Sequence, residues 1–365
     1  MTASGKSAYG LRPNTPLKKG HAMRKIPIGL AVIAGLLLTS CSVGSSAGSS
    51  VGPATEEAAA EALKGKNITL IVPFDPGGGY DAYARMLAPK LGEELGATVV
   101  VKNKPGAGGI LATNELVNQK ADGTTIALFN GPGHLGAALA QTDGVNYDAN
   151  AISYIGQISS EPDVVVTAGN NAQISDVPSM NAKRFAATGP GSNEYVDPVV
   201  INELLGWNNE IVTGFVSSNE ASLAVVQGNV ELHSRSLGSQ QPGIKAGDLK
   251  PILVIGENNG EEGIEGIPTL AESVPANKKE LAELHSQLVS SGRIIGAPPE
   301  VPETTLNVLR DAFETVVSDP AFQKAAEQSG RPVHFQSGED VQTLVSGLMQ
   351  SPAEYVDLVK KAYTG

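Results

Sequence analysis

Two glycine-rich loops constrain this chain more than any other feature of its sequence. The first, Pro76–Asp81 (PGGGYD), follows the β-type run Ile68–Val72, and the second, Asn103–Gly109 (NKPGAGG), follows the β-type run Ala97–Val101. Each loop precedes a segment with helical periodicity. Glycine lets the backbone approach a ligand with its N–H groups pointing inward, and a helix start adds unpaired N–H donors and a partial positive charge. The two loops therefore predict a small-anion site built from the backbone.

The first 41 residues are typical of a bacterial lipoprotein signal. Six basic residues and no acidic residue precede Cys41, and Ile26–Leu38 is a 13-residue apolar run broken only by Pro27 and glycines. A membrane-spanning helix needs about 20 such residues, so we interpret the run as the core of a signal peptide. The run ends in Leu38–Cys41 (LTSC), which is similar to a lipobox, and Cys41 is the predicted lipidation site.

The segment after the signal is predicted to tether a folded body to the membrane. Residues 42–65 begin with a stretch rich in Ser, Gly and Ala, a composition that behaves as a flexible linker. We expect a protein held by lipid on the extracytoplasmic face, in the periplasm or at the cell exterior. Translation begins at Met1 or at Met23, which a basic pair follows. Because Cys41 is the single cysteine of the chain, an internal disulfide is excluded.

The charge of the chain argues against several partners. Of the 26 basic residues, six precede Cys41, so the remainder carries 20 basic and 38 acidic residues and a formal charge of −18. Nucleic acids select basic surfaces, which argues against a nucleic-acid partner. An acidic protein does not steer an anion over long distances, so we expect an anion site that works by local dipoles.

The body of the chain has the sequence pattern of an α/β protein. Short apolar runs alternate with amphipathic stretches from Ile68 onward, including strands at Thr124–Phe129 and Asp163–Thr167 and helices at Tyr80–Leu95 and Asp340–Ala362. Such alternation predicts mixed or parallel sheets flanked by helices. Residues 66–365 are numerous enough for two cores of ordinary size.

The motifs around the two loops resemble those of the Bug family, the extracytoplasmic solute receptors of tripartite tricarboxylate transporters. The resemblance rests on Val72–Asp81, Arg85, Val101–Gly109 and Ala121–Thr125, which occur in the order and spacing of the family. Weaker matches follow at Gly228–Glu231, Ile267–Glu272 and Asp319–Phe322. The likeness spans the chain from about Lys66 to its end.

This resemblance implies a two-domain, periplasmic-binding-protein-like fold of type II, in which a cleft closes on its ligand. Residues 66–165 and 293–365 would form domain 1, and residues 166–292 would form domain 2. The implied function is capture of a small carboxylate for the membrane permease subunits of such a transporter, by a monomer without cofactor or catalysis. Closure would require tighter contacts with the ligand in the closed state.

The resemblance and the loops together predict the ligand-binding residues. They are Phe74, Gly77, Gly78, Gly79, Tyr80, Asp81, Gly106, Ala107, Gly108, Gly109, Asn130, Ser192, Asn193 and Ser236. Asp81 is predicted to cap the helix after the first loop. Ser192 and Asn193 would reach the far end of the solute when the cleft closes.

Some residues at the expected site leave alternatives open. Tyr80 stands where the family has a small Thr or Ser, and its phenol would narrow the pocket, stack on a ring, hydrogen-bond the solute or point outward. Lys102 and Lys104 flank the second loop and are expected to face solvent. The guanidinium of Arg235 has paired N–H donors that suit a carboxylate, but we expect this residue at the surface.

Two other classes of protein remain as alternatives. Residues 131–136 (GPGHLG) match a dinucleotide-binding pattern and would suit an exported enzyme that handles a dinucleotide or an ester. The predicted following helix, Leu135–Gln141, is short, and no acidic residue ends a strand about 20 residues on, so we expect His134 to be a packing residue. No histidine pair has metal-ligand spacing. The second alternative is a solute sensor that signals to a membrane kinase.

Overall fold

The computed structural model describes residues 52–258 and 260–364. The predictions for the signal segment, for lipidation at Cys41 and for the start of the linker lie outside these residues. None of the helices within the described ranges is long and apolar enough to cross a membrane.

The described residues contain thirteen α-helices and eleven β-strands. The helices are α1 (Glu56–Leu63), α2 (Gly79–Leu95), α3 (Ile110–Leu116), α4 (Gly131–Ala140), α5 (Asn193–Leu205), α6 (Ser218–Val226), α7 (Leu237–Ala246), α8 (Leu270–Ser273), α9 (Lys279–Ser290), α10 (Glu303–Ser318), α11 (Pro320–Gln328), α12 (Gly338–Met349) and α13 (Ala353–Thr364). The strands are β1 (Asn67–Val72), β2 (Thr98–Asn103), β3 (Thr125–Asn130), β4 (Ser153–Ser159), β5 (Asp163–Ala168), β6 (Arg184–Ala186), β7 (Glu210–Val212), β8 (His233–Ser236), β9 (Leu249–Ile255), β10 (Arg293–Ala297) and β11 (Gln336–Ser337).

A six-stranded sheet positions the two glycine-rich loops. Its order is β11-β4-β10-β3-β1-β2, in which β1 runs parallel to β2 and β3, and β10 runs antiparallel to β3 and β4. The carboxyl ends of β1, β2, β3 and β4 therefore lie at one edge of the sheet, together with the start of β10. This is the edge at which open α/β sheets bind ligands.

Side chains cover both faces of this sheet. In β1, Leu70 and Val72 belong to one buried cluster with Leu87 and Phe313, while Ile71 belongs to the cluster on the opposite face. Burial on both faces explains why β1 reads as a continuous apolar run and not as an alternating one. Burial of such side chains is the main favourable term in the stability of the sheet.

The second group of strands comes from the middle of the chain. Strands β8, β5 and β9 form an antiparallel sheet, and β6 pairs with β7 in parallel. All five strands lie between Asp163 and Ile255, whereas the strands of the large sheet come from both sides of this segment. The domain boundaries at 165/166 and 292/293 stay a prediction.

The predicted linker, residues 42–65, is wrong over its last part. Residues 56–63 form α1, which Thr55 caps by accepting a hydrogen bond from the N–H of Ala58 at 3.3 Å. Ala59 and Leu63 are fully buried and lie four residues apart, on the face that packs against the core. The chain is therefore folded from α1 onward.

Two predicted helices also differ from the structure. The segment predicted as a helix from Asp340 to Ala362 is divided into α12 and α13, because Pro352 cannot continue the hydrogen bonding of a helix. The helix predicted at Leu135–Gln141 begins earlier, at Gly131, so the whole glycine pattern at residues 131–136 is helical.

Candidate ligand-binding site

The first glycine loop holds itself in place with part of its own backbone. Gly77 has a φ of +88°, a conformation that favours glycine, and its N–H donates to Oδ2 of Asp81 at 2.9 Å. Helix α2 begins at Gly79 with Gly78 as its N-cap, so the predicted N-cap, Asp81, is wrong. Asp81 lies in the first turn instead. The amide of Gly77 is thus satisfied within the loop, contrary to its predicted role toward a ligand.

Asp81 joins the first loop to the end of β2. Its carboxylate accepts hydrogen bonds from Nε of Arg85 at 2.8 Å and from Nδ2 of Asn103 at 3.0 Å, and Asn103 also donates to the carbonyl of Phe74 at 2.9 Å. The hydrogen bond from Arg85, helped by those from Gly77 and Asn103, lowers the pKa of Asp81 to about 2 against the opposing effect of burial. Asp81 is therefore an ionised support of the loop.

We expect Asp81→Asn to make stability less dependent on pH. The folded pKa of Asp81 lies below its unfolded value, so its contribution is complete above about pH 4 and disappears as the pH falls through about 2. Because Arg85 is half exposed, we expect a loss of about 1–2 kcal/mol at pH 7. Urea unfolding at pH 7 and pH 2.5 measures both values.

The control for this prediction is Asp75→Asn, which changes an exposed carboxylate directly before the same loop. We expect it to alter the free energy of unfolding by less than about 0.5 kcal/mol. If Asp81→Asn lowers the free energy of unfolding by the same amount at pH 2.5 as at pH 7, the role assigned to the ionised carboxylate is contradicted.

The second glycine loop is held in an unusual backbone conformation. Four consecutive residues have positive φ, namely Gly106 (+140°), Ala107 (+48°), Gly108 (+62°) and Gly109 (+107°). Positive φ is uncommon for alanine, so the loop stores backbone strain at Ala107. A Cβ atom at Gly108 would lie 3.1 Å from the carbonyl oxygen of Gly191. The second loop therefore contacts the turn that precedes α5.

Asn130 and Tyr80 connect the loops that follow β1, β2 and β3. The hydroxyl of Tyr80 donates to Oδ1 of Asn130 at 2.9 Å. A Cβ atom at Gly133, in the first turn of α4, would overlap Nδ2 of Asn130 and lie 3.1 Å from the carbonyl oxygen of Gly108. The structure thus brings the predicted residues of the three loops together.

Tyr80 points into the protein, so the outward orientation is wrong. Its ring lies 4.7 Å from the ring of Phe74 with a tilt of 49°. Burial raises the pKa of the Tyr80 phenol to about 12, which keeps it protonated and able to donate near neutral pH. Phe74 and Tyr80 together form one aromatic wall beside the first loop.

The predicted residues of the middle segment make contacts within the protein. The hydroxyl of Ser192 donates to the carbonyl of Gly189 at 2.7 Å, and Nδ2 of Asn193 donates to Asp163 at 2.7 Å. Oγ of Ser236 lies 3.0 Å from Oγ of Ser239, which is 4.0 Å from the position of a Cβ at Gly79. These side chains line the region opposite the two glycine loops, but their polar groups already have partners.

Several helices begin at this region without a side-chain cap. The N-caps of α2, α4, α5 and α7 are Gly78, Asn130, Ser192 and Ser236, and none accepts a capping hydrogen bond with its side chain. The protein itself uses some of the donors, since Gly131 donates to the carbonyl of Gly292 and Gly238 donates to Glu161. Helix starts of this kind attract anions.

Other N–H groups at these starts have no acceptor in the protein. Among the hydrogen bonds of the described residues, none uses the N–H groups of Gly79, Tyr80, Ala107, Gly108, Asn193 and Glu194. They belong to the two glycine loops and to the start of α5, which meet as described above. The region can therefore donate several backbone hydrogen bonds to an anion.

Sequence reasoning missed a buried cation at this region, Arg293. It is the first residue of β10, in register with Asn130 of β3 and Ser159 of β4, and it is 5% exposed. Its Nη1 donates to Oγ of Ser159 at 2.7 Å and to Oε1 of Glu161 at 2.9 Å. The sequence predicts a site that works by backbone dipoles alone, and Arg293 adds a fixed cation beside the first of the two predicted loops. A basic residue at the start of the apolar run 294–297 was the only signal in the sequence.

Glu161 is the ionised partner of Arg293. Burial raises its pKa, but the guanidinium of Arg293 and the hydrogen bond from the N–H of Gly238 outweigh burial, so the pKa lies below its usual value. The other oxygen of the same carboxylate accepts the bond from Gly238 at 2.8 Å. Glu161 thus ties the large sheet to the start of α7.

The three other basic residues considered for the site differ in their exposure and in their partners. Arg235 is half-buried, contrary to the expected surface position, and its Nη1 donates to Asn219 at 2.8 Å. Burial lowers the pKa of Arg235. Lys102 and Lys104 both pair with Glu115 and are about half exposed, which agrees with their expected solvated role.

The pattern at residues 131–136 serves packing. His134 stacks on Phe129 at 4.6 Å and on Tyr147 at 4.7 Å, and burial lowers its pKa to about 3. A Cβ atom at Gly136 would overlap the hydroxyl of Tyr363, which itself donates to the carbonyl of Pro132 at 2.9 Å. Gly136 thus allows α13 to approach α4, while Gly131 and Gly133 leave room for Ser291 and Asn130, which explains the three glycines without a dinucleotide.

The sequence of this chain is similar to those of known proteins. Residues 83–354 match the family model described as "Tripartite tricarboxylate transporter family receptor". A UPF0065 protein of Bordetella bronchiseptica is 26% identical over 272 residues, which cover 73% of this chain and 77% of that protein. BugT of Bordetella pertussis is 26% identical over 228 residues, which cover 58% of this chain and 67% of BugT.

Two solved structures share the fold. MatC from Rhodopseudomonas palustris with bound malate is 21% identical, with a TM-score of 0.65 over 80% of this chain and 99% of MatC. A second protein of R. palustris, solved with adipate, is 20% identical, with a TM-score of 0.64 over 81% of this chain and 97% of that protein. The predicted two-domain periplasmic-binding-protein fold is confirmed by these likenesses.

Proposed function

Because the chain belongs to the tripartite tricarboxylate transporter receptor family, we propose that it captures a small carboxylate outside the cytoplasmic membrane and presents it to the permease subunits of a tripartite carrier. The proposed role is binding and delivery, without catalysis. The resemblance seen in the sequence is confirmed by the match to the family model.

The observation that carries this proposal is the convergence of unpartnered N–H groups. The loop after β1 contacts Asn130, the loop after β2 contacts Gly133 beside it, and the second loop also contacts the turn before α5. Charge-assisted hydrogen bonds from such donors contribute about 1.5–3 kcal/mol each. Three or four of them, less the cost of ordering the ligand, support a micromolar dissociation constant, or roughly 8 kcal/mol.

The proposed solute is a small dicarboxylate. MatC was solved with malate and the second R. palustris structure with adipate, which makes diacids of similar length the first ligands to test. We further propose that the protein is a monomer, that a lipid on Cys41 holds it at the membrane, and that residues 166–292 form the domain that closes over the solute.

The first experiment is a thermal-shift and calorimetric titration with a panel of di- and tricarboxylates. We expect one acid to bind with a micromolar Kd and, at about 100 times its Kd, to stabilise the protein by about 3 kcal/mol. For a protein of this size that is a rise in Tm of several degrees. The dimethyl ester of the same acid is the control, and it should leave the Tm unchanged. A panel without a single stabilising carboxylate would refute the proposed function.

A matched pair of glycine variants localises the binding measured in this titration. Gly108 and Gly228 both have positive φ (+62° and +74°), but a Cβ at Gly108 would press on Gly191 while Gly228 faces open space. We expect Gly108→Ala to weaken binding at least 10-fold and Gly228→Ala to leave the Kd unchanged. A wild-type Kd for Gly108→Ala would place the ligand elsewhere.

A further inference from the structure

Arg293 lies at the first glycine loop itself. A Cβ atom at Gly79 would be 3.5 Å from Nη2 of Arg293, and Gly79 is the first residue of α2. The N–H groups of Gly79 and Tyr80 thus lie beside a guanidinium. A carboxylate bound at the start of α2 would therefore lie close to Arg293.

The surrounding side chains fix the orientation of this guanidinium. Its carbon lies 4.9 Å from the centre of the Tyr80 ring and 4.6 Å from that of Tyr83. Nη1 is held by Ser159 and Glu161. A guanidinium fixed in this way loses little side-chain entropy when it binds an anion.

One edge of the guanidinium has no partner. Nε of Arg293 is buried and makes no hydrogen bond within the described residues, and the hydrogen bonds of the side chain all go through Nη1. A buried donor without an acceptor carries a desolvation cost of about 1–3 kcal/mol, which a ligand removes when it supplies the acceptor. Nε and Nη2 form the edge that binds a carboxylate with two parallel hydrogen bonds.

A second guanidinium faces the same region from the other sheet. Arg235 lies on β8, and its electrostatic partners include Arg293, Tyr80, Glu194 and Asp163. Burial raises the pKa of Asp163 well above its usual value, which weakens it as a counter-charge. The two arginines therefore face Glu161 and Glu194 as the principal counter-charges.

We propose that Arg293 is the specificity-determining residue of the carboxylate site proposed above: the Nε–Nη2 edge of its guanidinium binds one carboxylate of a dicarboxylate, and the amides around Gly108 and α5 bind the other. This inference rests on the proposed function and names the residue that would select a diacid. Two separate sites for negative charge make the protein select diacids over acids with one carboxylate. The buried guanidinium of Arg293 attracts the solute strongly over short distances, although the chain as a whole is acidic.

The test measures how the protein discriminates malate and adipate from their monoamides. We expect wild type to bind one of the diacids about 10–100 times more tightly than its monoamide, since a charged hydrogen-bonded contact is lost. Arg293→Lys keeps the charge but loses the two parallel hydrogen bonds of the guanidinium. The diacid should therefore bind about 10–100 times more weakly, and the preference for the diacid over its monoamide should fall below about 3-fold. Arg310→Lys, in α10 and bonded to the carbonyl of Tyr154, is the matched control and should behave as wild type.

A second measurement does not depend on the variant folding. A crystal structure of wild type with the bound diacid should show Nε or Nη2 of Arg293 at 2.7–3.2 Å from a carboxylate oxygen. Equal weakening of diacid and monoamide by Arg293→Lys, or a bound diacid without this contact, overturns the inference and leaves the proposed function standing. A wild type that binds no carboxylate overturns both.

Discussion

Glu161→Gln is expected to lower the free energy of unfolding by about 3–5 kcal/mol at pH 7. The substitution leaves the guanidinium of Arg293 buried without its counter-charge, because Arg293 is 5% and Glu161 is 7% exposed. Removing one partner of a buried ion pair costs this amount, since the remaining charge stays desolvated. The amide of Gln still accepts the hydrogen bond from Gly238, so the loss reports mainly on the charge. Urea unfolding without ligand measures it.

Two further variants make this prediction specific. The double variant Glu161→Gln, Arg293→Met removes both charges and should recover most of the lost stability. Glu203→Gln breaks an exposed pair with Lys361 and should cost less than about 1 kcal/mol. If the double variant is no more stable than Glu161→Gln alone, the unpaired charge is not the cause of the loss.

Gly292→Ala is expected to cost about 2–4 kcal/mol of stability. Gly292 has a φ of +48°, and a Cβ atom there would overlap the carbonyl oxygen of Ser159. Its own carbonyl accepts the N–H of Gly131, the first residue of α4. The added methyl must therefore push apart β4 and the start of β10, in a part of the core that cannot give way. The variant should also weaken ligand binding, because Arg293 is the next residue.

Gly330→Ala is the matched control for this change. Gly330 also has positive φ (+68°), but nothing lies within 4 Å of its Cβ position. We expect it to cost about 1 kcal/mol, which is the conformational penalty alone. Chemical unfolding of both variants under the same conditions separates the two effects. Equal losses would mean that the contact with Ser159 relaxes freely.

The fold could be predicted where the signal is local. The runs that became β1, β2 and β3 are short, apolar and bounded by glycine, and the helix predicted at Tyr80–Leu95 begins only one residue earlier in the structure. These elements depend on periodicity and turn chemistry, which a single sequence displays. The motifs also sufficed to identify the family, which the match to its model confirms.

The sequence did not reveal the elements that depend on distant contacts. Helix α4 contains three glycines and one proline and has low intrinsic propensity, but nearly all of it is buried, and Tyr363 from the end of the chain packs against it. Tertiary packing overrides propensity there. The segment that became β10 pairs with β3 and β4, which are far away in the sequence, so neither the strand nor the position of Arg293 was predictable.

The chemistry of the site was predictable only in part. The backbone donors followed from the glycines, but the use of the Gly77 amide by Asp81 depends on the exact turn geometry. The hydroxyl of Ser192 turns to the carbonyl of Gly189 in its own turn, which depends on the exact turn geometry. The amide of Asn193 turns to Asp163, which lies close in space but 30 residues away in the sequence. Residue types alone do not show which polar groups already have partners.

The order of strands in the large sheet has a consequence for the newly made chain. Strand β10 lies between β3 and β4 in the sheet. Strands β3 and β4 therefore lack their shared neighbour until the chain has been synthesised to about residue 297 and β10 has paired with both. Pairing across such a separation is slow, because the chain must close a long loop before any contact rewards it. The cation, its carboxylate partner and the glycine loops are assembled only in that late step. A partly synthesised chain therefore lacks this assembled region, and under the proposed function a solute added during refolding should stabilise only the completed molecule.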